Sequence, residues 1–269
     1  MITTLLSTDK RQRQRWQRRL RTLFAPTHSI NLSSTDYLNL SSHPYIKEQA
    51  IAYGIQFGTG SLPTRKLSSY EEALKKSEER FASLLGHETV TFYESTPHLF
   101  SSLDAPNDTE SFAVLGPKGF GLSAQKEEIE LLTGSFSKSF GSYVSYIACS
   151  RKQKEKLFEQ FPTLHREQYI PPLFLGMVDA TIQLIPSLDA ERKRLFTLRH
   201  HLYTALTKLG FVLTDTKEPF ISLTHNLKAH LMEQNAIVHD KLYLNLSLTE
   251  KQLTSLFASY KEPILVEAL

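Results

Sequence analysis

The chain has 269 residues, 41% of them hydrophobic and 22% charged, enough for a real core in one large domain or in a main domain with a smaller companion. The longest nearly uncharged apolar stretch, Tyr169 to Val178, is broken by Pro171-Pro172 and is far too short to span a bilayer, so no membrane partner is expected. Cys149 is the only cysteine, which excludes an intrachain disulfide and a cysteine-built metal site and fits a reducing cytoplasm.

The net charge of +3 hides an asymmetry. Lys10, Arg11, Arg13, Arg15, Arg18, Arg19 and Arg21 place seven positive charges within twelve residues, so the remainder sums to −4. No secretory signal is expected from Met1 to Ser7, which lacks a basic segment followed by an apolar one. A basic arm of this kind can grip phosphates. Trp16, Leu20, Leu23 and Phe24, however, recur at helical spacing and form one apolar stripe with the arginines on its solvated side. Residues 1–30 therefore read as a helical docking arm rather than a nucleic-acid arm or an organellar leader.

After Ala25-Pro26, residues Asn31 to Asp36 read as loop and short strand, and His43-Pro44 opens a helix through Tyr53. Gly54 to Pro63 is expected to be irregular. Tyr70 to Leu85 is an amphipathic helix with Gly86 as its stop, and Thr89 to Tyr93 is a strand by its β-branched and aromatic content. Ser95 to Glu110 is polar and turn-rich, Phe112 to Leu115 is a candidate strand, and Gly116 to Gly121 is a glycine-rich loop without the Gly-Lys-Ser/Thr of a P-loop. Leu131 to Gly134 leads into a serine-rich lysine turn, and Tyr143 to Cys149 reads as a buried strand. Helices are expected over 151–161 and 174–209, strands at Phe211 to Leu213, Phe220 to Leu223 and Leu242 to Leu246, and a further helix from Leu227. Alternating strands and helices predict an α/β protein, divided into the arm (1–30), a main domain (31–172) and a small C-terminal α/β domain (173–269). The histidines show no metal-ligand spacing, and no metal is expected.

The turn Gly134-Ser135-Phe136-Ser137-Lys138-Ser139-Phe140-Gly141 carries the chemistry. A lysine amine does imine chemistry when it is uncharged part of the time and when the site holds an aldehyde beside it. Small hydroxyl residues and a glycine around Lys138 leave room for a ring and offer donors to a phosphate. Surface turns have the same composition, so the pattern by itself leaves both readings open.

Several further blocks stand in a telling order. They are Ser34 to Leu40 followed by His43-Pro44; Gly58-Thr59-Gly60 with Thr64-Arg65; Ser77-Glu78 and Leu85-Gly86-His87-Glu88; Ser111 to Gly121; the lysine turn; and Pro171-Pro172. With these blocks the chain resembles the α-oxoamine synthases, pyridoxal-phosphate enzymes that condense an amino acid with an acyl thioester and release carbon dioxide, and especially their biotin-synthesis branch. The resemblance implies an aminotransferase-like (fold type I) α/β fold of three layers around a mostly parallel sheet, and a homodimer. It implies that Lys138 holds pyridoxal 5'-phosphate as a Schiff base, with Ser135, Ser137, Ser95 and Thr96 near the phosphate. Arg65 and Lys241 would meet the substrate.

The chain also departs from that pattern. Only Glu94 to Glu110 fill the space where family members carry several more strands and helices, so the sheet is expected to be truncated. Asn107 stands where an aspartate holds the pyridine nitrogen protonated, leaving Asp108 as its replacement, and Glu110 stands at the histidine position. Leu74 replaces a helix histidine, Glu167 and Gln168 replace two threonines before the proline pair, and Lys241-Leu242-Tyr243 replaces an Arg-x-Arg. These departures keep a second reading open, that of a non-catalytic scaffold or interaction protein descended from the family.

Overall fold

The computed structural model describes residues 30–59, 68–93, 131–137, 140–165, 170–211, 220–234, 236–239 and 241–258. The basic arm, the candidate strand at Phe112 and the glycine-rich loop at 116–121 lie outside them. In chain order the elements are β1 (Ile30–Asn31), α1 (Pro44–Phe57), α2 (Ser68–Leu85), β2 (Thr89–Tyr93), β3 (Leu131–Ser135), β4 (Ser145–Cys149), α3 (Arg151–Gln160), α4 (Pro172–Leu184), α5 (Asp189–Lys208), β5 (Phe220–Ser222), α6 (His225–Glu233), β6 (Ala236–Ile237), β7 (Lys241–Tyr243) and α7 (Glu250–Phe257).

Local chemistry accounts for most of the boundaries. Pro44 sits in the first turn of α1 and forces His43 into an extended conformation, so the helix starts there. Gly86, at φ 74°, ends α2: its N–H reaches the Ser83 carbonyl and the His87 N–H reaches that of Ala82, a left-handed glycine stop. Ser150 with Gln153 and Thr249 with Gln252 form reciprocal capping boxes on α3 and α7.

Two expectations fail at glycine and proline. α1 runs through Gly54 to Phe57, not only to Tyr53, because Gly54 lies against Leu173 of α4, where a Cβ would come within 3.2 Å of that side chain. The helix expected over 174–209 is two helices. Pro186 sits in a 3-10 turn, Ile185–Ser187, and the axes on either side differ by 78°. Among the described residues no single helix is long and apolar enough to cross a membrane.

β2, β4 and β3 form one sheet in that order, with β4 in the middle. Both outer strands run antiparallel to β4, Thr89 and Leu131 each opposite Cys149, so the outer two point the same way and the central one is reversed. The expected α/β fold of type I holds, and within this described part of the sheet β4 is a reversed strand between two strands that run the same way. The parallel pairing lies elsewhere, between β1 and β6. β5 and β7 pair antiparallel; of the strand expected over Leu242 to Leu246 only Leu242 and Tyr243 are in the ladder, which starts one residue earlier at Lys241.

α2 covers one face of the three-stranded sheet through an aromatic cluster. The Phe81 ring lies 5.0 Å from that of Phe136 and 4.9 Å from that of Tyr146, and Phe136 lies 5.4 Å from Phe140. All four rings are buried, and edge-to-face or tilted contacts of this kind add to the effect of burial alone. On the edge of β2 away from β4, the Phe92 N–H donates to Glu78 Oε1 at 3.0 Å, which satisfies an amide that no strand among the described residues pairs.

α1, α2 and α4 meet around one buried carboxylate. Asp179 accepts from Ser77 Oγ (2.9 Å), Tyr53 Oη (3.2 Å), Gln183 Nε2 (2.9 Å) and the Arg80 guanidinium. Gly176, one turn before it, lets α4 approach α1 so closely that a Cβ would lie 2.7 Å from the Gln49 carbonyl oxygen. Burial, then the Asp179 charge, push the Tyr53 hydroxyl up to about 12. The folded protein thus holds this proton more tightly than the unfolded chain does. The stability tied to it is complete below pH 10 and lost as pH rises from 10 to 12. Alkaline denaturation curves should show it: wild type loses about 1 kcal/mol across this window, after discounting for solvent screening, and Tyr53→Phe lacks that part of the slope.

Candidate active site

The lysine turn is fixed from below by its own aromatics. Phe136 and Phe140 lie two residues before and two after Lys138, and both rings are buried in the sheet–helix cluster. The Phe136 N–H reaches the Val144 carbonyl (2.7 Å) and the Ser142 N–H reaches that of Phe136 (3.0 Å), which closes the turn at its base. Ser135 and Ser137 come together as the sequence suggests, their hydroxyls 2.8 Å apart, with the Ser137 N–H also directed to Ser135 Oγ at 3.2 Å.

Above the turn lies a cleft of about 390 Å³, lined in part by Ser33, Thr35, Asp36, Ser41, Ser137 and Ser142. Its far wall is the turn of residues 35–42. Asp36 Oδ1 and Oδ2 accept the N–H groups of Leu40 (2.9 Å) and Ser41 (3.0 Å), and Asn39 takes a left-handed conformation to make the bend. Thr35 Oγ1 donates to the Ser137 carbonyl at 3.4 Å. Asp36, Ser41 and Ser142 are not among the site residues that the sequence points to, and Asp36 stands there only within the block Ser34 to Leu40. The available signal was Gly141, whose φ of 66° suits glycine and whose missing Cβ leaves room for Ser41.

Lys138, Ser95, Thr96, Asp108 and Arg65 lie outside the described residues. Lys241 is described: its ammonium stands 3.9 Å from the centroid of the Phe220 ring, a cation–π contact across β5 and β7, and Lys241 is not among the residues lining the cleft. Cys149 is buried on β4, and burial pushes its thiol up, which marks an unreactive core cysteine. Among the described residues no cluster of three or more His, Cys, Asp or Glu side chains is placed to hold a metal.

The donors present suit a phosphate-bearing ring beside Lys138. Ser142 Oγ is buried at the edge of the turn and makes no hydrogen bond among the described residues, an arrangement that native proteins rarely leave without a ligand or water. With Ser135 and Ser137 it surrounds the turn with hydroxyls, while both oxygens of the nearby carboxylate, Asp36, are occupied by backbone amides.

Comparison with known proteins agrees. The chain matches the family described as aminotransferase class I and II over residues 108–255, more than half its length. It is 35% identical over 105 residues to the 8-amino-7-oxononanoate synthase of Gluconacetobacter diazotrophicus, covering 39% of this chain and 26% of that relative. A Paramagnetospirillum magneticum protein provisionally named for the same enzyme is 24% identical over 273 aligned positions, which take in 67% of this chain and 69% of the relative. An alignment longer than the whole chain that uses two thirds of it reflects a block this chain lacks. Among solved structures, the Francisella tularensis 8-amino-7-oxononanoate synthase superposes with a TM-score of 0.70 at 15% identity, covering 86% of this chain and 96% of that one. A serine palmitoyltransferase from S. paucimobilis, with PLP and myriocin bound, superposes with a TM-score of 0.74 at 13% identity, covering 86% of each chain. The chain belongs to the aminotransferase class I and II family, and its fold is that of the pyridoxal-phosphate enzymes of fold type I.

Proposed function

We propose that this protein is a pyridoxal-phosphate-dependent acyltransferase that condenses an amino acid with an acyl thioester, in the manner of 8-amino-7-oxononanoate synthase in biotin synthesis, and that it works as a cytoplasmic homodimer. One observation carries the reading above all: the lysine turn is anchored by two buried phenylalanines and flanked by serine hydroxyls, one of them buried without a partner among the described residues. When bound, the cofactor supplies an electron sink for charge on the substrate's α-carbon.

The chain's own residues do the rest. Lys138 holds the cofactor through its amine and moves the α-proton of the amino acid. Ser135, Ser137, Ser95 and Thr96 donate hydrogen bonds to the phosphate. Asp108 takes over the charge opposite the pyridine nitrogen, Arg65 contacts substrate, and Lys241 leaves its stacking partner Phe220 to meet the substrate carboxylate. Lysine keeps the charge of the arginine it replaces but loses the two-pronged fork, so substrate affinity should be weak for the family.

The visible absorption spectrum of the purified protein, titrated with pyridoxal phosphate beside Lys138→Ala, tests the reading. A saturable band that the variant lacks is expected, and release of free thiol from acyl thioesters with alanine would then define the substrate. No band at saturating cofactor would overturn it. The missing block seen in alignment favours the second reading in that event, a scaffold that kept the fold and binds partners.

A further inference from the structure

We infer that Asp36 is a positioning residue for Lys138, acting through a turn that grips the lysine turn on both sides. This rests on the proposed role of Lys138 and goes beyond it, because the grip comes from residues about a hundred positions away in the chain. On the side before the lysine, Thr35 Oγ1 donates to the carbonyl of Ser137, the peptide group that joins Ser137 to Lys138. On the side after it, Gly141 lies against the 36–41 turn. A Cβ there would stand 2.7 Å from Ser41 Cβ, 3.2 Å from the Ser41 nitrogen and 3.3 Å from Asp36 Cγ.

Asp36 makes that seat. The residue is 9% exposed and its carboxylate binds the N–H groups of Leu40 and Ser41 together, so the backbone that faces Gly141 has one conformation. The seat is backed in turn by the C-terminal part of the chain. The Leu246 N–H donates to the Tyr37 carbonyl (2.9 Å), the Tyr243 N–H to that of Leu32 (2.7 Å), and the Leu32 N–H to that of Ile237 (2.8 Å). Tyr37, beside Asp36, is fully buried. A loop held from behind in this way is stiff enough to set the position of what rests on it.

The lysine turn therefore has two supports. Phe136 and Phe140 fix its base, and the 35–41 turn fixes its upper face. Asp36→Asn keeps an acceptor for the Leu40 N–H but turns an amide donor, or nothing, toward that of Ser41. Thr35→Val removes only the hydroxyl that reaches the Ser137 carbonyl. Both changes spare the aromatic base.

Amide hydrogen exchange on the protein without added cofactor, followed by cofactor titration over a range of pH, tests the inference in wild type, Asp36→Asn and Thr35→Val. In Asp36→Asn the amides of Ser142 and Phe136 should exchange roughly tenfold faster, with those of α5 unchanged, as expected for losing one charge-assisted hydrogen bond. The cofactor band should need roughly tenfold more pyridoxal phosphate, and the pH at which it changes form should move, which a general loss of stability would not cause. Thr35→Val should do the same more weakly. If Asp36→Asn exchanges like wild type at Phe136 and Ser142, the positioning role is wrong. Uniformly faster exchange, α5 included, would also overturn it by reducing Asp36 to a contributor to global stability. A wild-type protein without any band would sink the proposed function, and the exchange comparison would still decide whether Asp36 seats the turn.

Discussion

Phe136→Ala is expected to destabilise the protein by about 3–5 kcal/mol, the usual cost of emptying a buried aromatic site. Phe136 is fully buried and its ring touches those of Phe81, Phe92, Phe140 and Tyr146, so the space it leaves is walled by rigid rings and a sheet that collapse poorly around it. Because the residue is also the first anchor of the lysine turn, the loss should not be purely global. Thermal or urea unfolding measures the stability change, and the cofactor titration measures the local one. A variant that unfolds within 1 kcal/mol of wild type, a margin far below the usual cost of such a deletion, would show that the cluster repacks and that the turn has another foundation. Phe136→Leu, which keeps most of the volume, should recover much of both.

Asp179→Ala should cost about 2–4 kcal/mol. The substitution strands donors on three helices at once: Tyr53 on α1, Ser77 and Arg80 on α2, and Gln183 on α4. The figure falls below that for a fully enclosed ion pair because the Arg80 side chain is 45% exposed and can turn to water. Ser77 retains its bond to the Ala73 carbonyl, which limits the loss further. Asp179→Asn, which keeps acceptor capacity without charge, should lie between wild type and alanine in an unfolding titration. Equal loss for both variants would mean that the charge, and not the hydrogen bonding, holds the three helices.

What could be read in the sequence followed from local rules. His43-Pro44 and Gly86 marked helix ends because proline and left-handed glycine act through their own backbones, and Thr89 to Tyr93 showed itself by composition. The pair Ser135 and Ser137 was legible because two residues apart on an extended turn places both side chains on one side. Gly54 misled, since its tolerance inside α1 depends on Leu173 more than a hundred residues away. Pro186 should have split the long helix, but the apolar spacing continues across it and masks the bend. The direction of β4 could not be seen either, because a buried strand reads the same both ways. Asp36 was the largest omission: its importance lies in Gly141, which only the folded chain brings beside it.

The pairing of β1 with β6 bears on the order of assembly. Ile30 lies opposite Ala236, and the carbonyls of Leu32 and Tyr37 are taken by the amides of Tyr243 and Leu246, so this early segment has its partners some two hundred residues downstream. Closing so long a loop is slow, and contacts of that sequence separation form late. On the ribosome the sheet of β2, β3 and β4 can gather around Phe81 as soon as it emerges, while the 35–41 turn must wait until β6 and β7 have been made. The lysine turn would then be built early and gain its upper support last, so a newly made chain acquires a core well before it acquires a finished site.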